Sequence, residues 1–182
     1  MARAGTAEDL PRLIALLSMP SVAAGYFGAP GTVTLASDTL ARNLARAGQG
    51  GGEVWVGCAS AQPASILAYA ALIDGTLAYL VDPAWQGNGV ASALARWTCD
   101  RAFEKRPASA IAAVVFRENA ASVAVLERLG FRFTGLSWPT IVGCHHARAM
   151  LGFTLDPRRG SRPVASALNE TDAISGAVEL RQ

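Results

Sequence analysis

The chain contains no run of about 18 uncharged apolar residues, the length a helix needs to cross a bilayer, so no membrane span is expected from its 182 residues. Cysteine is scarce. Cys58, Cys99 and Cys144 are scattered and odd in number, which fits neither a disulfide framework nor a zinc quartet. Reduced, mostly buried thiols and no metal are therefore expected. Histidine is scarcer still, His145 and His146 being the whole supply. Charge is thin, with 16 basic against 14 acidic residues, and too dispersed to form the clustered basic face that nucleic acid requires. The start, Met1 to Thr6, runs straight into Ala7-Glu8-Asp9 and lacks the apolar core and cleavage site of a secretory leader; a cytoplasmic location is expected. Two well-known phosphate loops are missing too. No Lys-Ser or Lys-Thr pair follows the glycines of Gly87-Asn88-Gly89, and no third glycine completes a dinucleotide fingerprint.

What is present is a soluble composition, 51% hydrophobic with 16% charged, in a length suited to one core. Its most informative stretch runs from Leu80 to Ala91, where an apolar run stops at Pro83 and a glycine-rich turn opens an alanine-rich helix. This reads as strand, loop and helix N-terminus. Gly87 and Gly89 allow positive φ and a close backbone approach. The unpaired amides of the first helical turn then face whatever sits there, a setting suited to a pyrophosphate.

The rest of the chain reads as a mixed α/β order. A capping start at Thr6-Ala7-Glu8-Asp9 precedes a helix with Leu10, Leu13, Ile14 and Leu17 at helical spacing up to Met19-Pro20. A Gly/Pro-rich loop is expected from Ser21 to Gly31, then a helix from about Ser37 to Ala47, capped by Ser37 or Asp38 and stopped by the glycines after it. Three antiparallel strands follow at roughly 53–60, 65–73 and 76–82, with turns at Gln62-Pro63 and Asp74-Gly75. A helix from about Val90 to Lys105 carries Leu94, Trp97 and Phe103 to the sheet, and a strand runs from Ile111 to Phe116. Asn119 caps a helix that Gly130 ends, with Val123, Leu126 and Leu129 on one face. Phe131–Val142 and His145–Leu155 read as a closing strand pair.

Val81-x-Pro83-x-x-Gln86-Gly87-x-Gly89-x-Ala91, followed some thirty residues on by Asn119-x-x-Ser122-x-x-x-Leu126-x-x-x-Gly130-Phe131, resembles the GNAT superfamily of acyl-CoA-dependent N-acetyltransferases. Both halves of that signature occur in order and at the family's spacing, over about residues 6 to 155. The Asn-Ala-Ala-Ser and Leu-Glu-Arg-Leu-Gly-Phe forms are similar to the branch of ribosomal-protein N-terminal acetyltransferases. The resemblance implies an α/β (α+β) fold, a central, mostly antiparallel mixed sheet flanked by about four helices. It implies one domain at 1–155, with 156–182 a C-terminal extension that is mobile or packs on the domain or on a partner subunit, so that a homodimer stays open. It also implies acetyl-CoA as co-substrate and transfer to a primary amine of a small molecule or peptide by direct attack in a ternary complex.

The resemblance distributes the roles. The strand ending at Pro83 would be bulged and splayed, leaving backbone amides near Leu80 and Val81 for pantetheine and the acyl oxygen. The pyrophosphate would lie on the amides of Gln86, Gly87, Asn88, Gly89, Val90 and Ala91, with Asn119 and Ser122 also touching the coenzyme. Acid and base are harder to place. Where many members carry a tyrosine that protonates the coenzyme thiolate, this chain has Leu126, and the strand Thr76–Val81 offers no carboxylate. His145 and His146 would point to opposite faces of a strand, so at most one can enter the cleft as a base; Ser122 is a further candidate, ahead of Asp82, Glu118 and Tyr79. Tyr26, Phe27 and Trp138 are candidate acceptor contacts, with Arg42 and Asn43 beside them. Two other classes are open: a catalytically silent acyl-CoA-binding or regulatory module, and a self-associating scaffold hinted at by Trp85, Trp97 and Trp138.

Overall fold

A computed structural model describes residues 1–26, 33–59, 62–137 and 149–157. Its centre is a seven-stranded sheet in the order β1-β2-β3-β4-β5-β7-β6. The strands are β1 (Ala2–Ala4), β2 (Gly52–Ala59), β3 (Gln62–Ile73), β4 (Thr76–Val81), β5 (Ile111–Phe116), β6 (Arg132–Ser137) and β7 (Met150–Leu155). All neighbours are antiparallel except β4 and β5. The hairpin between β3 and β4 closes in two residues, Asp74 at φ 51 and Gly75 at φ 75. Positive φ at both positions matches the twist of the flanking strands. Between β4 and β5 lies α4 (Val90–Lys105), the crossover that makes this pair parallel.

Residue alternation along the strands divides the core. Val54, Val56 and Cys58 of β2 and Tyr69 and Ala71 of β3 pack with Leu13, Leu16 and Leu17 of α1 (Leu10–Leu17) and Leu40 and Leu44 of α3 (Val33–Gly48). Leu72, Leu77, Ile111, Ala113 and Val115 face the opposite side, against Ala95, Cys99 and Ala102 of α4 and Leu126 and Leu129 of α5 (Ala120–Leu129). Between them, Ala68 and Ala70 present only methyl groups to Val90 and Leu94 of α4, so the helix can settle close over β3 and its N-terminus is fixed relative to the end of β4.

Several expectations need correction. The stretch after Met19 is not all loop: Pro20–Tyr26 forms a short helix, α2, begun by a proline whose missing amide is unneeded in the first turn and held by buried Val22 and Ala23. The following helix is described from Val33, ahead of Ser37 and Asp38, and with α2 the α-helices among the described residues number five. Of the last two expected strands the described parts are Arg132–Ser137 and Met150–Leu155, and Phe27, residues 138–148 and the tail from 158 lie outside the described residues. Trp97 is no surface hint. It meets Trp55 edge to face at 5.8 Å, and the Arg101 guanidinium lies 4.3 Å from its ring centre.

Leu126 is 1% exposed and set in the α5 side of the core. Leu126→Ala should lower the unfolding free energy by about 2–5 kcal/mol, and Leu126→Tyr, which forces a larger polar ring into a filled site, by about 1–3 kcal/mol. Urea unfolding of both variants would check this, and a stabilised Leu126→Tyr would contradict the packing described.

Candidate functional site

The site begins where two strands part. β5 pairs with β7 along its whole length, from Ile111↔Leu155 to Phe116↔Met150, but with β4 only at Thr76↔Ala112 and Leu77↔Ala113. Beyond Leu77 the edge of β4 is open. On its other side β4 keeps an unbroken register with β3, from Ile73↔Thr76 to Ala68↔Val81. The expected splay is therefore present, whereas the expected bulge is absent from the β3–β4 ladder. The Asp82 amide donates to the Leu67 carbonyl at 2.7 Å, and backbone direction alternates along an antiparallel strand. Leu80 thus turns its amide toward β3, while Tyr79 and Val81 turn theirs into the gap. Leu80 lines the cleft, but the amide assigned to it belongs to the ladder. The Val81 carbonyl also faces the opening, accepting from Gln86 Nε2 at 3.2 Å.

The glycine turn stands at the mouth. Arg12 of α1 donates to Asp82 Oδ2 at 2.6 Å, and Asp82 Oδ1 accepts the Ala84 amide at 3.0 Å. This pinned carboxylate starts the short 3-10 turn Pro83–Trp85 and so aims the following loop. Gly87 and Gly89 have φ 77 and 76, and a Cβ on either would meet nothing within 4 Å. Conformation demands glycine here, and the space above both is free for a ligand. Gly89 is the N-cap of α4 without a side-chain cap. The Ala93 amide donates to the Gly89 carbonyl at 2.9 Å, so the amides of Val90, Ala91 and Ser92 precede the first helical bond and are available to an anion. From α5, Arg128 donates to Ser92 Oγ at 3.0 Å, bringing a full positive charge to the same turn. Sequence reading passed over Arg128. Its signal was the stripe of Ala121, Val125 and Arg128 at helical spacing, all lining the cleft.

The cleft encloses about 380 Å³ between α2, β4, the glycine turn and α5. Among the described residues that line it, Arg128 is the one charged side chain. Asn119 caps α5 as expected, its Oδ1 accepting the Ser122 amide at 3.1 Å, and its Nδ2 donates to the Gly25 carbonyl of α2 at 3.2 Å. Tyr79 donates its phenol to the Ser122 carbonyl at 3.1 Å. Tyr26 lines the α2 wall and bonds through its hydroxyl to Tyr69, which also accepts from Asn43 Nδ2 at 3.0 Å. Asn43 thus belongs to a partly buried polar chain and is not among the residues that line the cleft. Arg42 is exposed and donates to Thr39. Leu126 is in the core, so no donor can take its place without repacking. His145, His146, Phe27 and Trp138 lie outside the described residues.

Burial pushes the Tyr69 phenol from 10.0 up to about 12, although the bonds from Asn43 and Tyr26 pull the other way. Burial likewise lifts Tyr79 from 10.0 to about 12 against the Ser122 side chain, and raises Tyr26 well above its ordinary value. A folded pKa above the unfolded one favours the native state below the unfolded value, and that advantage is lost as pH rises through the folded one. All three tyrosines of the chain are affected. At about pH 11 the native protein should show little tyrosinate absorbance and the denatured chain nearly complete ionisation; an ordinary titration in the native state would contradict the buried chain. Native stability should fall between about pH 10 and 12, the window set by these shifts.

Comparison with known proteins gives this geometry a lineage. No curated protein matches the chain. Solved structures match in fold: a spermidine N-acetyltransferase from Vibrio cholerae in complex with CoA and spermine, at 16% identity and TM-score 0.71, covering 88% of this chain and 96% of that one. Another is the ribosomal-protein-S5-alanine acetyltransferase from Vibrio fischeri, at 16% identity and TM-score 0.62, covering 83% and 90%. A third, from Salmonella typhimurium, modifies the N-terminal serine of the ribosomal protein L7/L12, at 14% identity and TM-score 0.67, covering 85% and 93%. The family model for the acetyltransferase (GNAT) domain matches residues 2–132. With its parted strands, glycine turn and Asn119-capped helix in their places, the chain belongs to the GNAT family of acetyl-CoA-dependent N-acetyltransferases.

Proposed function

We propose that acetyl-CoA lies in the cleft with its pyrophosphate on the amides of the Gln86–Ser92 turn and its pantetheine along the open edge of β4, and that a neutral primary amine attacks its acyl carbon in a ternary complex. The observation that carries this is the parting of β4 from β5 beside a left-handed glycine turn. The C–N bond forms as the C–S bond breaks, and a proton leaves the amine nitrogen for the departing sulfur, directly or through water. The inward amides of Tyr79 and Val81 can stabilise charge on the acyl oxygen. Tyr79 holds its proton to about pH 12 and donates it in a hydrogen bond to the Ser122 carbonyl, so it does not serve as a base.

The acceptor is an amine with an apolar or aromatic part, of a small molecule or a peptide, rather than a polycation. Between Asp9 and Asp38, and between Glu127 and Asp156, the chain has no acidic residue. These intervals include α2 and the segments before α3 and before β7, so carboxylates to hold several cationic amines are lacking there. The spermidine enzyme therefore lends its fold to this reading more than its substrate. Buried free Cys58 and Cys99 support a cytoplasmic setting, and no described helix is long and apolar enough to cross a membrane. Among the described residues no group of three or more His, Cys, Asp or Glu could hold a metal. Exposed Val114, Phe133 and Leu136 at the β5–β7–β6 end support a homodimer. A catalytically silent acyl-CoA-binding module is the second reading, favoured by Leu126 filling the core where an acid would stand.

Titration calorimetry with acetyl-CoA, followed by thiol release against a panel of amines, should give micromolar binding with release. Binding without release would favour the silent module, and no binding would overturn the assignment of the glycine turn. Arg128→Ala should weaken acetyl-CoA about tenfold and flatten the salt dependence of binding, as expected for loss of one charge-assisted phosphate contact. An unchanged dissociation constant would remove Arg128 from the site.

A further inference from the structure

The glycine turn is anchored at both ends and open between them. At its far end it runs into α4, whose Val90 and Leu94 sit on Ala68 and Ala70 of β3. In the middle, a Cβ on Gly87 or Gly89 would meet nothing within 4 Å, and Asn88 Nδ2 donates only within the turn, to the Gln86 carbonyl at 3.1 Å. At the near end Trp85 packs on the α4 cluster and Gln86 bonds to the Val81 carbonyl. The direction in which the chain leaves β4 is set one step earlier, at Asp82, with φ −51 and ψ 127.

Every polar group of Asp82 is engaged. Its amide donates to the Leu67 carbonyl at 2.7 Å, its carbonyl accepts the Trp85 amide at 2.8 Å, and its Oδ1 accepts the Ala84 amide at 3.0 Å. The fourth bond comes from α1, 70 residues earlier in the chain, where Arg12 Nη2 donates to Oδ2 at 2.6 Å. Arg12 is itself well fixed. Leu13, Leu16 and Leu17 of the same helix are buried, and its Nε donates to the Ile66 carbonyl at 3.3 Å, beside the place where the β2–β3 ladder loses its regular register. The Asp82 side chain is only 12% exposed, so a carboxylate there needs a compensating cation. Without Arg12 its favoured response is to swing toward water, which releases the Ala84 amide and the start of the turn.

We infer that Arg12 is a positioning residue for the pyrophosphate: by holding Asp82 in its capping rotamer it keeps the Gly87–Gly89 turn in the shape that receives the anion, without touching the ligand. A loop already held in its bound conformation spares the ligand the cost of ordering it. The ligand's identity rests on the acetyltransferase reading, whereas the pin itself can be read in the unliganded protein.

Arg12→Ala removes the pin, and Asp82→Asn removes its charge while keeping an oxygen for the Ala84 amide. In titration calorimetry Arg12→Ala should weaken acetyl-CoA and ADP by the same factor, about fivefold to tenfold, because both carry the pyrophosphate. Adding Asp82→Asn should not enlarge that loss, since the two side chains form one contact; additive losses, or an unchanged acetyl-CoA affinity, would refute the pin. With an amine that the wild type acetylates, the ratio of kcat/KM for acetyl-CoA to that for acetylpantetheine, which lacks the pyrophosphate, should fall about fivefold to tenfold. Equal losses with both donors would mark a general disturbance of the cleft and overturn the inference. Hydrogen exchange of the unliganded full chain, followed by NMR, should be about tenfold faster at the Ala84 and Trp85 amides of Arg12→Ala, with α4 unchanged. Equal rates at those two amides would contradict the pin whether or not coenzyme binds. A wild type that binds neither acetyl-CoA nor ADP would end the acetyltransferase reading, and the exchange result would then decide the pin alone.

Discussion

Everything functional in this molecule depends on a competition between two pairings of β5. Its full ladder with β7 commits all six residues, while β4 is committed in full to β3. Each strand follows its better partner, and after two paired positions they diverge. The gap is thus a product of regular hydrogen bonding on either side, with no local distortion of β4 needed to open it. Backbone donors and acceptors that a continuous sheet would consume are left facing a cavity, and such groups demand partners.

Around this opening the protein arranges charge sparingly. The carboxylate nearest the loop, Asp82, is used up by Arg12 and a turn amide, which leaves the helix amides and Arg128 to set the potential at the mouth. Deeper in, polar groups that line the cleft are neutral, among them the phenols of Tyr26 and Tyr79, Asn119 and Ser122, each hydrogen bonded within the protein. Such a cleft separates an anion-binding mouth from an uncharged interior, an arrangement suited to a ligand with phosphates at one end and a neutral thioester at the other.

Much of this was legible in the sequence. The glycine turn, the helix from Val90 to Lys105, the strand from Ile111 to Phe116 and the Asn119-to-Gly130 helix were all readable, because each is dictated locally by proline, glycine, a cap or strong periodicity. What could not be read was decided by tertiary contact. Pro20–Tyr26 looked like a loop because its small residues carry little helical signal; it is a helix because Val22 and Ala23 are buried. Arg128 looked like an ordinary basic residue near a helix end until α5 was packed beside the start of α4. Leu80 and Val81 could be named but not told apart, since the direction of an amide depends on which neighbour claims the strand.

The open edge of β4 has a further meaning. An unpaired strand edge is a template on which any extended chain can pair, and proteins that expose one risk assembling edge to edge. Here the edge is short, beginning only beyond Leu77, and it is recessed between α2 and α5 with the Gln86 carboxamide already on the Val81 carbonyl. The same features that shape the cleft for a slender ligand also make it too narrow for a stray strand, so the fold keeps its binding groups available without becoming a seed for aggregation.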